Sequence, residues 1–324
     1  DLKFSNNEGY SKGGGIYASF TSDFTISSSV FESNTSAEGG GIYSRFSSPS
    51  ISNCLFTSNV GIHTCSGIET NGNLPSDSSK IYSRITNTTF ADNSTPAVLS
   101  FDASISLVNN IFWGNAGPFQ MQILDADTFA DTLILSHSNI QDGINGIGIS
   151  GVATVIWLDG NLDSDPLFME AGNDPFALDA GSPCIDAGTT DTTGLFLPYN
   201  DIIGNTRVWD GDGNGTYIID MGAYEFGAPV SLPEPGKQVI NTSLETSIYP
   251  NPSGEQITIT WLNSHGRMYI SLLNSEGLHL QSFIIPPGPD KFVIDLKPFP
   301  QGIYFILLKD ESGAGSSEKL VLIK

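Results

Sequence analysis

Cationic side chains, cysteines and long apolar runs are all scarce in this chain of 324 residues. Lys and Arg number 13 against 35 Asp and Glu, a formal charge of −22. Such a surface repels nucleic-acid phosphates and anionic lipid heads, so no nucleic-acid partner is expected. It suits calcium, or a life outside the cell among salts and sugars. The cysteines are Cys54, Cys65 and Cys184, an odd and small number that makes no disulfide framework. Their spacing leaves open a Cys54–Cys65 pair or small residues packed in the fold. No stretch reaches the ~18–20 apolar residues of a membrane span. No signal-peptide pattern stands at Asp1, and the sequence is expected to begin inside a domain, as a mature or truncated form. The nucleophile motif G-x-S-x-G is absent.

What the chain does have is repetition. "GGGIYASF" at 13–20 returns as "GGGIYSRF" at 39–46. A phosphate loop would continue with Lys-Ser/Thr and a helix, whereas Ile-Tyr follows here. A second phrase recurs beside it. "TISSSVFESN", "SISNCLFTSN", "RITNTTFADN" and "SLVNNIFWGN" place Ile26, Ile51, Ile85 and Leu107 five residues before Phe31, Phe56, Phe90 and Phe112. Three residues after each Phe stands Asn34, Asn59, Asn93 or Asn115. A partial copy has Phe4 and Asn7, and a degenerate one follows at 133–140. Successive Phe residues are 27, 25, 34 and 22 positions apart.

Each repeat holds short β-branched segments with polar turns and cannot bury an apolar face alone. Helix-forming residues at 3.6 spacing are missing. The solution is a coil of short parallel strands, each coil resting on the last about 4.8 Å away. The Ile and Phe rows fill the inside, and the Asn amides bond from turn to turn. Gly13–Gly15 and Gly39–Gly41 are then corners of successive coils, with Ile16 and Ile42 opening the next strands. In these features the chain resembles the right-handed parallel β-helix, the pectin-lyase-like fold, and its class of bacterial surface proteins. The resemblance covers roughly residues 1–226, with repeats over 1–150.

From 151 the pattern changes. "DPLF", "GSPCIDAG" and "DMGAYEF" look like the closing segment of this class, so 151–226 reads as the final coils and a C-terminal cap. Within it "DGDGNG" sets Asp210, Asp212 and Asn214 at alternate positions with Gly215 sixth, the first half of a calcium loop. Position twelve is Met221 rather than Glu, and Asp220 or Glu225 would have to substitute. Asp210, Asp212, Asn214 and Asp220 are therefore candidate calcium ligands, against an acidic turn closed by its own hydrogen bonds.

Residues 227–246, with Pro233 and Pro235, read as a linker open to proteases. From Ser247 short alternating strands imply a small β-sandwich over 247–324. Its "YPNP" (249–252), "LLNSEG" (272–277), "QGIYFILL" (301–308) and terminal "KLVLIK" (319–324) are similar to the type A C-terminal sorting domain of the type IX secretion system. The second motif departs from the family in lacking an Asp before its turn. The resemblance implies export across a Gram-negative outer membrane in the Bacteroidota, removal of this domain, and anchoring or release of the rest.

Enzymes on parallel β-helices place acid pairs, or Arg and Lys with calcium, on an exposed sheet face. Here Asp102, Asp125, Asp127, Asp131, Asp142, Asp159, Asp163 and Asp165 show no repeat register and read as turn residues. Arg45 and Arg84 stand alone, and His63 and His137 have no partner at metal or triad spacing. The expected protein is an all-β, secreted or surface-displayed module that binds polysaccharide or a cell-surface glycan, adhesin-like. The alternative is a polysaccharide lyase or hydrolase, or the C-terminal part of one.

Overall fold

The computed structural model describes residues 2–19, 24–72, 81–126, 131–192, 195, 197–229, 245–262, 267–274, 279–310 and 315–324. The chain divides into two compact units, Asp1–Ser231 and Leu232–Lys324. The 227–246 segment lies mostly outside the described residues, as do Asp127, Pro233 and Pro235.

The first unit is a β-solenoid with three parallel sheets of six strands each. The first sheet stacks Lys3–Ser5, Val30–Glu32, Leu55–Thr57, Thr89–Ala91, Ile111–Trp113 and Asn139–Ile140. The second stacks Ile16–Ser19, Ile42–Arg45, Ile68–Asn71, Val98–Phe101, Met121–Leu124 and Ile147–Ser150. The third stacks Thr25–Ser27, Ser50–Ser52, Tyr82–Thr86, Ser104–Val108, Thr132–Ser136 and Thr154–Trp157. A narrower sheet of Glu8–Lys12, Thr35–Glu38 and Val60–Gly61 lies in the chain between first and second.

The repeat spacing follows from the corners. In I-x-N the third residue is left-handed: Ser28, Asn53, Asn87, Asn109 and His137 have φ of 44–58°. In F-x-x-N the residue before Asn is left-handed as well, at Ser33, Ser58, Asp92 and Gly114. Gly, Asn, Asp and His tolerate that backbone best, which explains why most of these corners carry them. Between the corners side chains alternate, so Ile and Phe point inward. Phe4, Phe31, Phe56, Phe90 and Phe112 stack in register with ring centroids 4.8, 4.5, 5.0 and 4.7 Å apart, and Ile140 continues the row. The last four Phe rings of that series are fully buried.

Two polar ladders satisfy the turns. Asn34, Asn59 and Asn93 each donate Nδ2 to the Oδ1 of the next Asn at 2.8–3.1 Å. Each also donates to the carbonyl of a Phe one coil back. The second ladder runs Ser29, Cys54, Thr88, Asn110, Ser138, Asn161. In it the backbone N–H of Cys54, Thr88, Asn110 and Ser138 donates to the side chain one coil on. Cys54 therefore stands where its neighbours carry hydroxyls or amides, and its thiol is pushed up to about 12 by burial. All three cysteines are free and buried.

The closing segment behaves differently from a cap set over the last coil. Residues up to Leu162 complete that coil, where Val155 and Trp157 remain only partly buried above Leu133 and Leu135. The chain then folds back along the outside of the first sheet. Leu178, Cys184 and Met221 pack on Ile111, with Trp113 beside them. Backbone N–H groups of Gly222, Thr189 and Ala223 donate to Asn109 O, Asn109 Oδ1 and Thr89 Oγ1. The apolar outward residues of the first sheet draw the segment to the wall. The wall's Asn corners give it hydrogen bonds across several coils: Asn53 Nδ2 donates to Asn200 O and Asn87 Nδ2 to Asp220 O.

The second unit has a three-stranded antiparallel sheet, Glu245–Tyr249, Gln256–Leu262 and Lys291–Asp295. A four-stranded one orders His279–Ile285, Met268–Asn274, Gly302–Asp310 and Gly315–Leu322. Trp261, Ile257, Ile259, Ile270, Leu272, Ile306 and Leu320 fill the core between them. The "YPNP" motif has a mechanical role. Asn251 Nδ2 donates to Lys319 O at 2.6 Å and Asn251 Oδ1 accepts from Val321 N at 2.9 Å, which clips the terminal strand in place.

Candidate functional site

On the second sheet Ile42, Ser44, Ile68 and Thr70 alternate with Tyr43, Arg45, Glu69 and Asn71, and register places Tyr43 beside Glu69 and Arg45 beside Asn71. The first set points into the coil and the second outward. The outward row continues through Leu99 and Phe101 to Leu124. These side chains floor a groove of about 380 Å³, bordered by Lys12, Glu38 and Thr64. Lys12 and Glu38 are register partners on the narrow sheet, and the Lys12 ammonium donates to the Glu38 carboxylate. The same ammonium lies 3.9 Å from the centre of the Tyr43 ring, a cation–π contact.

Glu69 sits at the floor, 3% exposed. Thr64 Oγ1 donates to its Oε2 at 2.5 Å. Burial raises the Glu69 carboxyl to about 7, and nearby Glu38 pushes the same way. Near neutrality Glu69 is thus divided between its neutral and charged forms, beside an ion-paired carboxylate. The groove joins aromatic faces, two cations, two acids and an amide, drawn from the narrow sheet and the second sheet.

Arg45, isolated in sequence, therefore belongs to this strip, and its guanidinium lies 4.5 Å from the Phe46 ring centre. Glu38, Tyr43 and Glu69 were invisible to a search for paired acids. One signal points to Glu69: Ile16, Ile42 and Ile68 are each 26 apart, so "SGIETN" at 66–71 is a third copy of the glycine phrase with Glu replacing Tyr.

The expected calcium ligands are divided. Asp210 and Asp212 lie in an exposed turn where their oxygens accept backbone N–H groups: Asn214 N to both, and Gly215 N to Asp210. Asn214 is used within the turn, its Oδ1 accepting from Thr216 N and its Nδ2 donating to Asp212. Asp220 is elsewhere, buried, with Asp186 N at 2.7 Å and Phe226 N at 2.6 Å on its two oxygens. The reason is local. Gly213 and Gly215 take positive φ, which turns the backbone N–H groups onto the carboxylates. Asp186 is the residue that lies beside Asp210 and Asp212: a carboxylate oxygen from each of the three lies within 4.8 Å of the others.

Asp220 instead joins a charge cluster under the folded-back segment. Arg207, 2% exposed, donates NH2 to Gly222 O at 2.7 Å and lies 3.6 Å from Glu225 Oε2. Burial pushes Asp220 and Glu225 up, and their mutual repulsion adds to the shift in Glu225, while Arg207 opposes it.

Comparison with known proteins assigns both units. A family described as the right handed beta helix region matches residues 1–162. The chain belongs to the right-handed β-helix family. A second family, the secretion system C-terminal sorting domain, matches residues 247–324. The protein is therefore a secreted or cell-surface β-helix protein with an address for the type IX secretion system. Among solved structures, an immunoglobulin-like β-sandwich of a DUF3244 family protein from Bacteroides vulgatus is similar at 15% identity, TM-score 0.20, over 24% of this chain and 94% of that one. No curated protein matches the chain. Among the described residues no helix is long and apolar enough to cross a membrane.

Proposed function

We propose that the solenoid is a glycan-binding, adhesin-like module displayed at the outer-membrane surface of a Gram-negative bacterium of the Bacteroidota, with its ligand in the groove of the second sheet. The observation that carries this reading is the outward strip Tyr43, Arg45, Glu69 and Asn71 bordered by Lys12 and Glu38. Sugars present apolar C–H faces beside dense hydroxyls, and aromatic, charged and amide groups on a rigid floor suit both. The sorting domain supplies the route to the surface. A calcium ion at Asp186, Asp210 and Asp212 belongs to the same proposal as an ordering ligand of the acidic turn.

The alternative, polysaccharide cleavage, has one observation in its favour. Glu69, held protonated to about neutral pH beside Glu38, has the form of a general acid. One experiment separates the two. The purified chain is titrated with pectin, alginate, glycosaminoglycans and neutral glucans, following binding heat together with reducing ends and unsaturated products. Binding without products, weakened in Tyr43→Ala, supports the module. Products that vanish in Glu69→Gln establish the enzyme, and neither heat nor products with any polysaccharide removes the glycan reading. Export is tested by deleting Lys319–Lys324, which removes the half of the terminal strand that Asn251 clips. The solenoid should still fold, and the protein should accumulate in the periplasm of a type IX-competent host.

A further inference from the structure

The scattered aspartates near the end of the repeats conceal a meeting point. Asp102 ends the second-sheet strand Val98–Phe101, and Asp125 ends Met121–Leu124 one coil on. Asp131 precedes the third-sheet strand Thr132–Ser136. All three lie at the corner between second and third sheets, only 5%, 6% and 2% exposed. A carboxylate oxygen from each lies within 4.8 Å of the other two.

Part of this is ordinary corner chemistry. Ala126 N donates to Asp102 Oδ1 at 2.6 Å, Asp131 N to Asp125 Oδ2 at 3.0 Å, and Ser104 Oγ to Asp131 Oδ1 at 3.2 Å. Two observations go further. Asp125 Oδ1 is buried and accepts no hydrogen bond among the described residues. Asp131 is the most deeply buried of the three, just before the strand in which Thr132 pairs with Thr154. Buried carboxylates this close, with one oxygen of Asp125 left open, lose hydration and repel one another unless a cation is present.

We propose that Asp102, Asp125 and Asp131 bind a divalent cation of the calcium class. All donors are carboxylate oxygens, which select hard cations over those favouring sulfur or imidazole. Calcium–oxygen distances of about 2.3–2.6 Å allow ligand oxygens to be up to roughly 5 Å apart across the ion, which the spacing here fits. The next coil approaches closely at Asp125: a Cβ on Gly151, φ +85°, would lie 1.7 Å from Asp125 O. The ion would join two successive coils at the corner where the chain passes from second to third sheet.

The test uses the full chain carrying Asp212→Asn, so that the exposed acidic turn is silent. Thermal unfolding is followed after chelator treatment and after adding calcium chloride. The proposal expects calcium at a hundred times its Kd to raise Tm by roughly 5–10 °C in this background. Asp125→Asn, which keeps the shape and an acceptor while removing the charge, should reduce that rise to the noise, and Asp131→Asn is the second variant should the first not fold. An unchanged Tm in the Asp212→Asn chain with and without calcium overturns the proposal. So does a full calcium response that survives Asp125→Asn or Asp131→Asn. A calcium response in the wild type that disappears on Asp212→Asn alone assigns the ion to the acidic turn and likewise overturns it.

Discussion

The outer faces of the first and second sheets are built on the same coils and serve opposite ends. Outward from the first sheet stand Thr89, Ile111 and Trp113, and the folded-back segment covers them with Leu178, Cys184, Met221 and Phe226. Outward from the second stand Tyr43, Arg45, Glu69 and Asn71, and they line a groove. Inward, both sheets obey one rule, with Phe56, Phe90, Ile42 and Ile68 all buried. Stacking dictates what points in. What points out is left to differ, one face covered by the folded-back segment and the other lining a groove.

The comparison breaks first if the interior is not the common foundation. Phe56→Ala removes one ring from the middle of a stack in which its neighbours lie 4.5 and 5.0 Å away. The fixed backbone on both sides prevents collapse into the gap, so the expected loss is about 3–5 kcal/mol. Denaturant unfolding of the purified chain measures it, and a loss under ~1 kcal/mol would mean the Phe row is not structural.

The covered face is probed next by Arg207→Ala. The guanidinium bonds Gly222 O and faces Glu225, with Asp201 and Asp220 close enough to act on it. Removing one member of a buried charge cluster costs roughly 3 kcal/mol, because the carboxylates left behind must take up protons or water. The effect should be local. Hydrogen exchange should rise in 184–226 while the Phe rows stay protected.

How much of this was readable in the residues divides along the same line. The Ile–Phe–Asn template could be read because inward rows and turn ladders repeat at every coil. Phe31 and Phe56 answer to one physical demand, and so do Asn34 and Asn59. The linker composition and the terminal motifs gave the second unit for the same reason, a local pattern serving a local need. Outward residues repeat only where neighbouring coils share a task. Glu38 and Glu69 lie on different sheets, and only the 26-residue step from Ile42 to Ile68 aligns Glu69 with Tyr43. Asp102, Asp125 and Asp131 read as turn residues and do stand at corners, but corners of unequal length hide from the sequence that they meet. The closing segment reads as final coils and a cap from its motifs, "DPLF", "GSPCIDAG" and "DMGAYEF", whereas its destination depends on Ile111 and Trp113 facing outward.

Glu69 sharpens the comparison through pH. Its carboxyl is raised from 4.5 to about 7, so the folded state holds a proton that the unfolded chain releases between those values. Stability therefore falls as pH rises from about 4.5 to 7 and levels off above. Glu69→Gln keeps an acceptor for Thr64 and carries no charge. It should match the wild type near pH 4 and exceed it by up to about 3 kcal/mol at pH 8. Unfolding curves at pH 4, 5.5, 7 and 8 decide the matter, and parallel curves for the two proteins would show that the groove floor is not strained by its acid. A floor that costs stability and persists is expected of a binding face and not of a merely cohesive one.

The smallest effect on stability is expected where the effect on function is large. Arg45 is half-buried at the groove, stacked by Phe46 and in register with Asn71. Among the described residues its charge meets no buried ion-pair partner like that of Arg207, so Arg45→Ala should change stability by no more than about 0.5 kcal/mol. If the second sheet is a ligand face, the same substitution should weaken polysaccharide binding by about tenfold, the worth of one charge-assisted hydrogen bond to a sugar hydroxyl or carboxylate. Calorimetric titration beside a denaturant curve on the same preparation measures both. A stability loss equal to that of Arg207→Ala would place Arg45 among the cohesive residues, and the two faces would then differ in covering alone and not in purpose.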